Sequence, residues 1–342
     1  MHRSPLLSIT IKTYNEAEKI ALAIESALAA AKEIPGPVEI VIADSLSTDQ
    51  TVEIASRYPV RVVQFANRQD CGCGAGVQLG YQHSSGAFVY ILDGDMEMLP
   101  GFLGAAYRTM AEDGKIGGVA GLLEDTQMVN QMDRYRKKNK ASSHPGELAC
   151  LNGGGLYRRE AIEAAGGYAA NRNLKAYEEA DLGFRLGAKG WKLLRLPIPA
   201  VRHTGHSVGT IELLRRHWRS RRAMAAGVLL RAAAGQPWWR GPVRILIHPL
   251  ALTAWWLMLI AALAAAGLSG VAIGLVAILA AVLVALAYKK RDPAHAATSL
   301  MLWHYAAAGI LAGFCYRQIP PETPIASRLL HEPDQTDTAA SR

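Results

Sequence analysis

The chain has 342 residues, half of them hydrophobic, and a formal net charge of +8, which allows one large domain with an appended segment. The positive charge is concentrated just before a long uncharged stretch, and this pattern favours anionic membrane lipids over nucleic acid as the partner. The four cysteines form neither a disulfide framework nor a paired metal motif, which indicates reduced thiols in a cytosolic domain.

The first 125 residues alternate strand-like and helix-like patterns. The first strand, over 7–13, is too short and too polar for a signal peptide, so we expect the N-terminal domain not to be exported. Ser47 is the expected N-cap of a helix over 48–57. The alternation predicts an α/β fold with a Rossmann-like, mostly parallel sheet, whose ligands bind beyond the carboxyl ends of the strands. In chain order, the predicted strands and helices are 7–13, 16–32, 39–43, 48–57, 61–65, 74–83 and 88–92.

Carboxylates follow two of these strands and open a later helix. Asp44 ends the second strand, and Asp93 and Asp95 end the fourth as Asp-Gly-Asp. Two carboxylates so close together concentrate negative charge, which Mg²⁺ or Mn²⁺ would neutralise while bridging to substrate phosphates. Acidic residues at such places also cap helices, and for Asp49 both interpretations stay open. The helix predicted over 177–189 begins with three more acidic residues, Glu178, Glu179 and Asp181.

Glycines are frequent after the third strand and again near residue 153. The four between residues 72 and 80 do not have the spacing of a dinucleotide fingerprint, which argues against a nicotinamide cofactor. We expect them to allow close approach of a ligand to the backbone. Residues 126–150 are polar and basic, especially over 134–140, and predict an irregular insertion near the ligand.

The second half of the chain predicts a membrane region. Residues 211–233 have the basic amphipathic pattern of a helix in the membrane interface. The 44 residues from Ile245 to Tyr288 carry no formal charge, which fits two transmembrane helices with a turn over 267–270. A third span is expected over 294–316, although its histidines leave an interfacial position open. A buried hairpin of a soluble protein is the alternative for the uncharged stretch.

Basic residues indicate the orientation of these spans. An arginine cluster precedes the first span and Lys289–Arg291 follows the second, so the positive-inside rule places both on the cytosolic side. We therefore expect a multi-pass protein of the cell (inner) membrane with a cytoplasmic N-terminal domain. The cluster consists of Arg215, Arg216, Arg219, Arg221 and Arg222. The expected boundaries are 1–210 for the α/β domain, 211–243 for the amphipathic helix and linker, 244–318 for the transmembrane helices and 319–342 for a polar tail.

Five ordered blocks of this sequence resemble family 2 glycosyltransferases. They are Lys12–Glu16, Ile42–Thr51, Leu92–Asp95, Gly153–Glu160 with Gly166–Tyr168, and Tyr177–Leu182. The resemblance covers roughly residues 7–210. It implies a GT-A fold, a nucleotide-diphosphate sugar donor and a divalent metal, Mg²⁺ or Mn²⁺.

The resemblance also implies roles for individual residues. The expected donor-binding residues are Thr13, Tyr14, Asn15, Glu16, Asp44, Asp93, Gly153 and Gly154. The expected metal-binding residues are Asp93, Asp95 and His203. His203 matches a histidine that some members place on the metal or diphosphate, but a lone histidine beside a strand is also commonly structural.

The catalytic group implied by the resemblance is Glu178, Glu179 and Asp181. Glu179 takes the position of the general base, which would remove the acceptor's proton in a one-step displacement with inversion. The metal would stabilise the departing nucleoside diphosphate. A single base distinguishes this chemistry from the paired carboxylates of glycoside hydrolysis.

Several positions depart from the family's pattern. Ser45 and Leu46 stand where many members have Asp and Gly, which loosens the assignment of the base-binding loop. Gln78 replaces a common Asn, and Glu179 replaces Asp, which lengthens the base by one methylene. Residues 213–218 do not match the Gln-x-x-Arg-Trp motif of processive synthases, so we expect a single sugar addition.

The expected function is transfer of one sugar to a lipid-linked or glycan acceptor in glycolipid, polysaccharide or cell-envelope synthesis. The expected partners are the sugar donor, this acceptor and membrane lipids, without nucleic acid. A catalytically silent, membrane-anchored nucleotide-binding protein is the alternative. A nucleotidyltransferase is a third possibility, but it would usually have a glycine- and arginine-rich loop after the first strand.

Overall fold

The computed structural model describes residues 5–125, 144–203, 210–265 and 269–333. These residues divide into two compact units. The first contains 5–125, 144–203 and 318–333, and the second contains 210–265 and 269–317. The basic segment over 134–140, predicted as part of an insertion, lies outside the described residues.

The first unit is an α/β domain. Its strands are β1 (Leu7–Thr13), β2 (Val38–Asp44), β3 (Arg61–Phe65), β4 (Phe88–Asp93), β5 (Met96–Met98), β6 (Ile116–Asp125), β7 (Gly146–Leu148), β8 (Gly155–Arg158), β9 (Lys192–His203) and β10 (Ser327–His331). Its α-helices are α1 (Ile20–Ala31), α2 (Thr51–Ala55), α3 (Cys73–Gln82), α4 (Phe102–Glu112), α5 (Arg159–Ala164) and α6 (Glu178–Ala188).

The strands form one sheet in the order β10-β3-β2-β1-β4-β8-β6-β9-β5, with β7 paired to β9. The run β3-β2-β1-β4 is parallel, as is the β6–β9 pair, while the remaining pairs are antiparallel. The α/β class is therefore confirmed. The sheet as a whole is mixed, because the strand–helix alternation that predicts parallel pairing ends after β4.

The sheet register brings the ends of three strands together. Thr13 lies opposite Asp44, and Lys12 lies opposite Asp93. Fully buried apolar side chains on these strands, such as Ile11, hold them in the core. The loops after β1, β2 and β4 therefore emerge at one edge of the sheet, where ligands bind in open α/β folds.

Two helices begin later than predicted. α1 begins at Ile20 rather than at residue 16, and α2 begins at Thr51 rather than at residue 48. Hydrogen bonds join the loop before α1 to the loop before α2. The Ser47 hydroxyl accepts from the Asn15 amide and donates to Asp44 instead of capping α2. The expected N-cap was therefore wrong, because a tertiary contact takes the hydroxyl.

The second unit is helical in its described part. Its α-helices are α7 (Thr210–Arg219), α8 (Ala225–Ala233), α9 (Arg240–Ile245), α10 (Ile247–Ala264), α11 (Ser269–Lys290) and α12 (Pro293–Phe314). The single amphipathic helix expected over 211–233 is interrupted, since Arg221 adopts φ 62° before a 3₁₀ turn over Arg222–Met224. α10, α11 and α12 are each long and apolar enough to cross a membrane. The turn predicted over 267–270 falls partly outside the described residues.

The segment predicted as a polar tail is not simply a tail. Its strand β10 pairs antiparallel with β3 at the edge of the sheet, and the Ile325 side chain just before it is 2% exposed. Residues 334–342 lie outside the described part of the chain. The tail prediction failed because a five-residue strand with few apolar residues gives little signal in a polar segment.

Candidate active site

Lys12 lies at the centre of the candidate site, at the end of β1. Its Nζ is 3.2 Å from Asp93 Oδ1 and 2.8 Å from Glu178 Oε1. Burial alone would lower the pKa of Lys12, but the nearby carboxylates outweigh it and hold the pKa well above its ordinary value. Lys12 thus links the Asp-Gly-Asp turn to the beginning of α6. The sequence reasoning gave it no role, although Lys12 is the only charged residue of β1.

This arrangement predicts a pH-dependent effect of Lys12→Met. The change would leave Asp93 and Glu178 without their cation, which should destabilise the fold by about 3 kcal/mol at pH 8. The pKa of Asp93 is already raised, mainly by burial, and losing Lys12 would raise it further. Lowering the pH would then protonate Asp93 and remove part of the cost, so the loss should be smaller at pH 5. Denaturant unfolding at both pH values, with the exposed Lys192→Met as control, measures this; an equal loss at both would contradict it.

The two acids of the Asp-Gly-Asp turn have different partners. The Gly94 amide donates to the Lys12 carbonyl at 2.8 Å, which fixes the turn after β4. Asp93 faces Lys12, whereas Asp95 Oδ2 lies 3.3 Å from His203 Nε2. His203 is placed there because β5 pairs with the end of β9. The structure therefore brings Asp95 and His203 together, while Asp93 is paired with Lys12; a metal bound by any of the three stays a prediction.

Negative charge accumulates around Asp95. The pKa of Glu16 is raised to about 7, first by burial and then by the charge of Asp95. A divalent cation would relieve this repulsion, and a carboxylate with an imidazole is a donor pair that Mn²⁺ accepts. No cluster of three or more metal-ligating side chains occurs in the ranges that the structure describes. Asp95 and His203 therefore fit a divalent cation as a pair of ligands. Phosphate and water would have to supply the remaining ligands.

The beginning of α6 supplies the candidate base. Glu178 is buried against Lys12, while Glu179 is partly buried. The pKa of Glu179 is raised to about 7, first by burial and then by Glu178, a value suited to a general base near neutral pH. The residue before them, Tyr177, has φ 66°, a strained conformation for a tyrosine that often accompanies functional sites.

One cavity lies between Asp93 and the beginning of α6. Its polar lining comes from Asp93, Asn152, Glu178 and Glu179, together with the backbone of Gly153 and Gly154. Five of the predicted site residues therefore meet around a single space, although they lie far apart in the sequence.

Asp44 and Asp181, by contrast, are taken up by internal contacts. The Asp44 carboxylate is fully buried and accepts from Ser47 and from Gln64 Nε2 at 2.8 Å. The Asp181 carboxylate is also fully buried and lies 2.9 Å from Arg185 Nε. Neither lines the cavity. These contacts give both residues a structural role, and a direct role in binding or catalysis stays a prediction.

Position 154 requires a glycine because of its backbone conformation and the close packing around it. Its φ is +81°, and a Cβ there would lie 2.6 Å from the Val201 side chain. We expect Gly154→Ala to destabilise the fold by about 2–4 kcal/mol through strain and overpacking. Gly187→Ala is the matched control, because Gly187 is in α6 with open space around it and should gain up to about 1 kcal/mol. Denaturant unfolding compares them, and similar stabilities would refute the role of Gly154.

The loops after β1 and β2 form the other end of the site. Tyr14 is 44% exposed, and its hydroxyl and ring both contact the Arg68 guanidinium. Arg68 also donates to the carbonyl oxygen of Leu46 at 3.0 Å. The side chain of Asn15 accepts from the Thr48 amide at 2.8 Å and braces the two loops. Sequence reasoning missed Arg68, because the 3₁₀ turn that presents it has no recognisable pattern.

Thr13 differs from its neighbours in this loop. Its hydroxyl is buried and has no hydrogen-bond partner within the described residues. A Cβ on Gly94 would lie 2.9 Å from that hydroxyl, so Thr13 packs directly against the Asp-Gly-Asp turn. Its predicted contact with the donor stays a prediction.

The mixed sheet, with carboxylates at the ends of its parallel strands, has a fold of the GT-A class. A mannosyltransferase from Pyrobaculum calidifontis, solved with GDP-Man and Mn²⁺, has a similar fold, with a TM-score of 0.57 and 23% identity over 92% of this chain and 88% of that one. The sequence profile of glycosyl transferase family 2 matches residues 8–166. Residues 8–166, a little under half of the chain, therefore match a family 2 glycosyl transferase domain.

Several curated sugar transferases are similar to part of this chain. An undecaprenyl-phosphate 4-deoxy-4-formamido-L-arabinose transferase from Yersinia enterocolitica is 27% identical over 46% of this chain and 50% of its own length. A relative of the same description from Pectobacterium carotovorum is 31% identical over 28% of this chain and 30% of its own length. The alignments thus span only 30% to 50% of these relatives' own length.

Proposed function

We propose that this protein is an inverting, metal-dependent glycosyltransferase that moves one sugar from a nucleoside-diphosphate donor to a lipid-linked acceptor. The observation that carries the proposal is that Glu179, with its raised pKa, lines the same cavity as Asp93, the first acid of the Asp-Gly-Asp turn. A base beside carboxylates that can hold a divalent cation is what a single displacement from a diphosphate needs.

In the proposed reaction Glu179 takes the proton from the acceptor oxygen. That oxygen attacks the anomeric carbon as the bond from this carbon to the diphosphate breaks, and the configuration inverts. A divalent cation held by Asp95 and His203 would stabilise negative charge on the leaving diphosphate. Lys12 holds Glu178 and Asp93 in place, which fixes the beginning of α6 beside the Asp-Gly-Asp turn. Tyr14 and Arg68 would border the nucleoside.

The acceptor is proposed to be lipid-linked because of the second unit and the relatives. Three candidate membrane helices would keep the enzyme beside a lipid acceptor. Trp218 on α7 is exposed, and Arg215 and Arg219 lie on the same helix, a composition suited to the headgroup region. The named relatives are undecaprenyl-phosphate transferases. By the positive-inside rule the protein would be a multi-pass inner-membrane protein with a cytoplasmic catalytic domain.

The test begins with the donor. Calorimetry and thermal shift of the purified full chain would be measured with UDP, GDP, dTDP and CMP, each with and without Mn²⁺ or Mg²⁺. We expect metal-dependent binding of one nucleoside diphosphate, followed by sugar transfer from its nucleotide sugar to undecaprenyl phosphate in detergent. Binding without transfer to any lipid phosphate or glycan would favour the silent nucleotide-binding protein. Absence of binding in folded protein would overturn the proposal.

A further inference from the structure

The chain that follows α12 returns to the first unit and is attached there at several points. We call residues 318–333 the C-terminal strap. Asn173 and Ile319 exchange two hydrogen bonds of 2.7 and 2.9 Å, and Gln82 and Ile325 exchange two of 3.1 and 2.8 Å. The Ile325 side chain packs into the apolar cluster between β2, β3 and α3. These contacts make the strap an integral part of the first unit.

Arg172 connects the strap to the loops of the candidate site. Its side chain is buried, and its Nη1 donates to the carbonyl oxygens of Thr323 at 2.9 Å and Pro324 at 3.3 Å. Its Nη2 donates to Asp70 Oδ1 at 2.8 Å. The planar guanidinium can donate to the strap carbonyls and to Asp70 at the same time. A lysine ammonium cannot make these contacts with the same geometry.

Asp70 connects Arg172 to the end of the site that the loops after β1 and β2 form. It ends the 3₁₀ turn Arg68–Asp70, and Arg68 at the beginning of that turn contacts Tyr14 and the Leu46 carbonyl. The strap is therefore connected to the loops after β1 and β2 by polar contacts of Arg172 and Arg68, joined through the backbone of the Arg68–Asp70 turn.

We propose that Arg172 and the C-terminal strap position the Arg68–Asp70 turn for binding of the donor's nucleoside. Arg172 is a positioning residue, since it acts through Asp70 and Arg68. The inference rests on the proposed function, because that function assigns the nucleoside to Tyr14 and Arg68. Loss of the strap contact should weaken donor binding and leave the chemical step, which depends on Glu179, largely unchanged.

Calorimetry with the full chain tests this inference, using whichever of UDP, GDP and dTDP binds the wild-type protein. Arg172→Met should raise the Kd at least about tenfold, since small displacements of binding loops are costly. Arg172→Lys should give an intermediate Kd, because its ammonium can keep the Asp70 contact but not both carbonyl contacts. At saturating donor, kcat should stay within about twofold of the wild-type value, which a general folding defect would not allow.

A second variant reaches the strap without changing Arg172. Ile325→Ala should loosen the strap, which faster proteolytic cleavage within 318–333 would report, and should raise the Kd in the same direction. Glu332→Gln is the control, because it removes only the exposed ion pair with Arg61 at the far end of the strap, and its Kd should stay within about twofold of the wild-type value.

Two results would overturn the inference alone: a wild-type Kd in folded Arg172 variants, or a loosened strap in Ile325→Ala with an unchanged Kd. A wild-type protein that binds none of the three nucleoside diphosphates would overturn the proposed function and the inference with it. The wild-type measurement therefore separates the two failures.

Discussion

Glu179→Gln is expected to lower kcat by about 10²–10⁴-fold while donor binding stays close to that of the wild-type protein. The amide keeps the size and polarity of the side chain but cannot take the acceptor's proton. Single-turnover transfer assays measure the loss, and calorimetry with the nucleoside diphosphate measures binding in the same preparation. Glu163→Gln on the exposed side of α5 is the control and should keep wild-type activity. A fully active Glu179→Gln protein would remove this residue from the mechanism.

The raised pKa of Glu179 adds a pH dependence to this result. The base works only when ionised, so kcat/KM should fall as the pH drops through about 7, the pKa that burial and Glu178 produce. A cation bound near Asp93 would favour the ionised form, so the midpoint for kcat should lie at or below that for kcat/KM. A rate that stays level from pH 8 to pH 5.5 would contradict the assignment.

Asp95→Asn is expected to weaken metal-dependent donor binding by about 100-fold or more. The change removes the charged oxygen that pairs with His203 and attracts the cation, at almost constant volume. Calorimetry of the nucleoside diphosphate over a range of Mn²⁺ concentrations would show the loss without any need for catalysis.

The matched control for Asp95 is Glu97→Gln, which alters another carboxylate of the same short segment. Glu97 pairs with Arg202 at 2.7 Å on the partly exposed side of β9, so its loss should leave the metal dependence unchanged. An Asp95→Asn protein that still needs Mn²⁺ for tight binding would move the metal site elsewhere.

The strand ends and their carboxylates could be predicted from the sequence because both depend on local pattern. Apolar runs that stop at Asp44 and Asp93 predict the edge of the sheet, and the structure brings Asp93 and Glu179 to one cavity. His203 also lies beside Asp95 as expected. What local pattern does not contain is which partner each charged group will find.

The residues that sequence reasoning missed or misplaced all depend on long-range contacts. Lys12 contacts Glu178, which is 166 positions away, and Arg68 gains its role only by folding against Tyr14. The Ser47 hydroxyl accepts from the Asn15 backbone amide instead of capping α2. The strand β10 pairs with β3 although three long apolar helices separate them in the sequence. Only the folded arrangement reveals such pairings.

This placement of β10 affects how the protein is made. During synthesis the ribosome completes α7 to α12 before the strand that covers the outer edge of β3 has emerged. Until then, β3 presents unpaired backbone groups and the pocket for Ile325 is empty, a state that invites aggregation. Synthesis of the three apolar helices therefore precedes completion of the α/β fold. A soluble fragment cut before α7 would lack its last strand, and adding residues 318–333 back as a separate peptide would be the way to restore it.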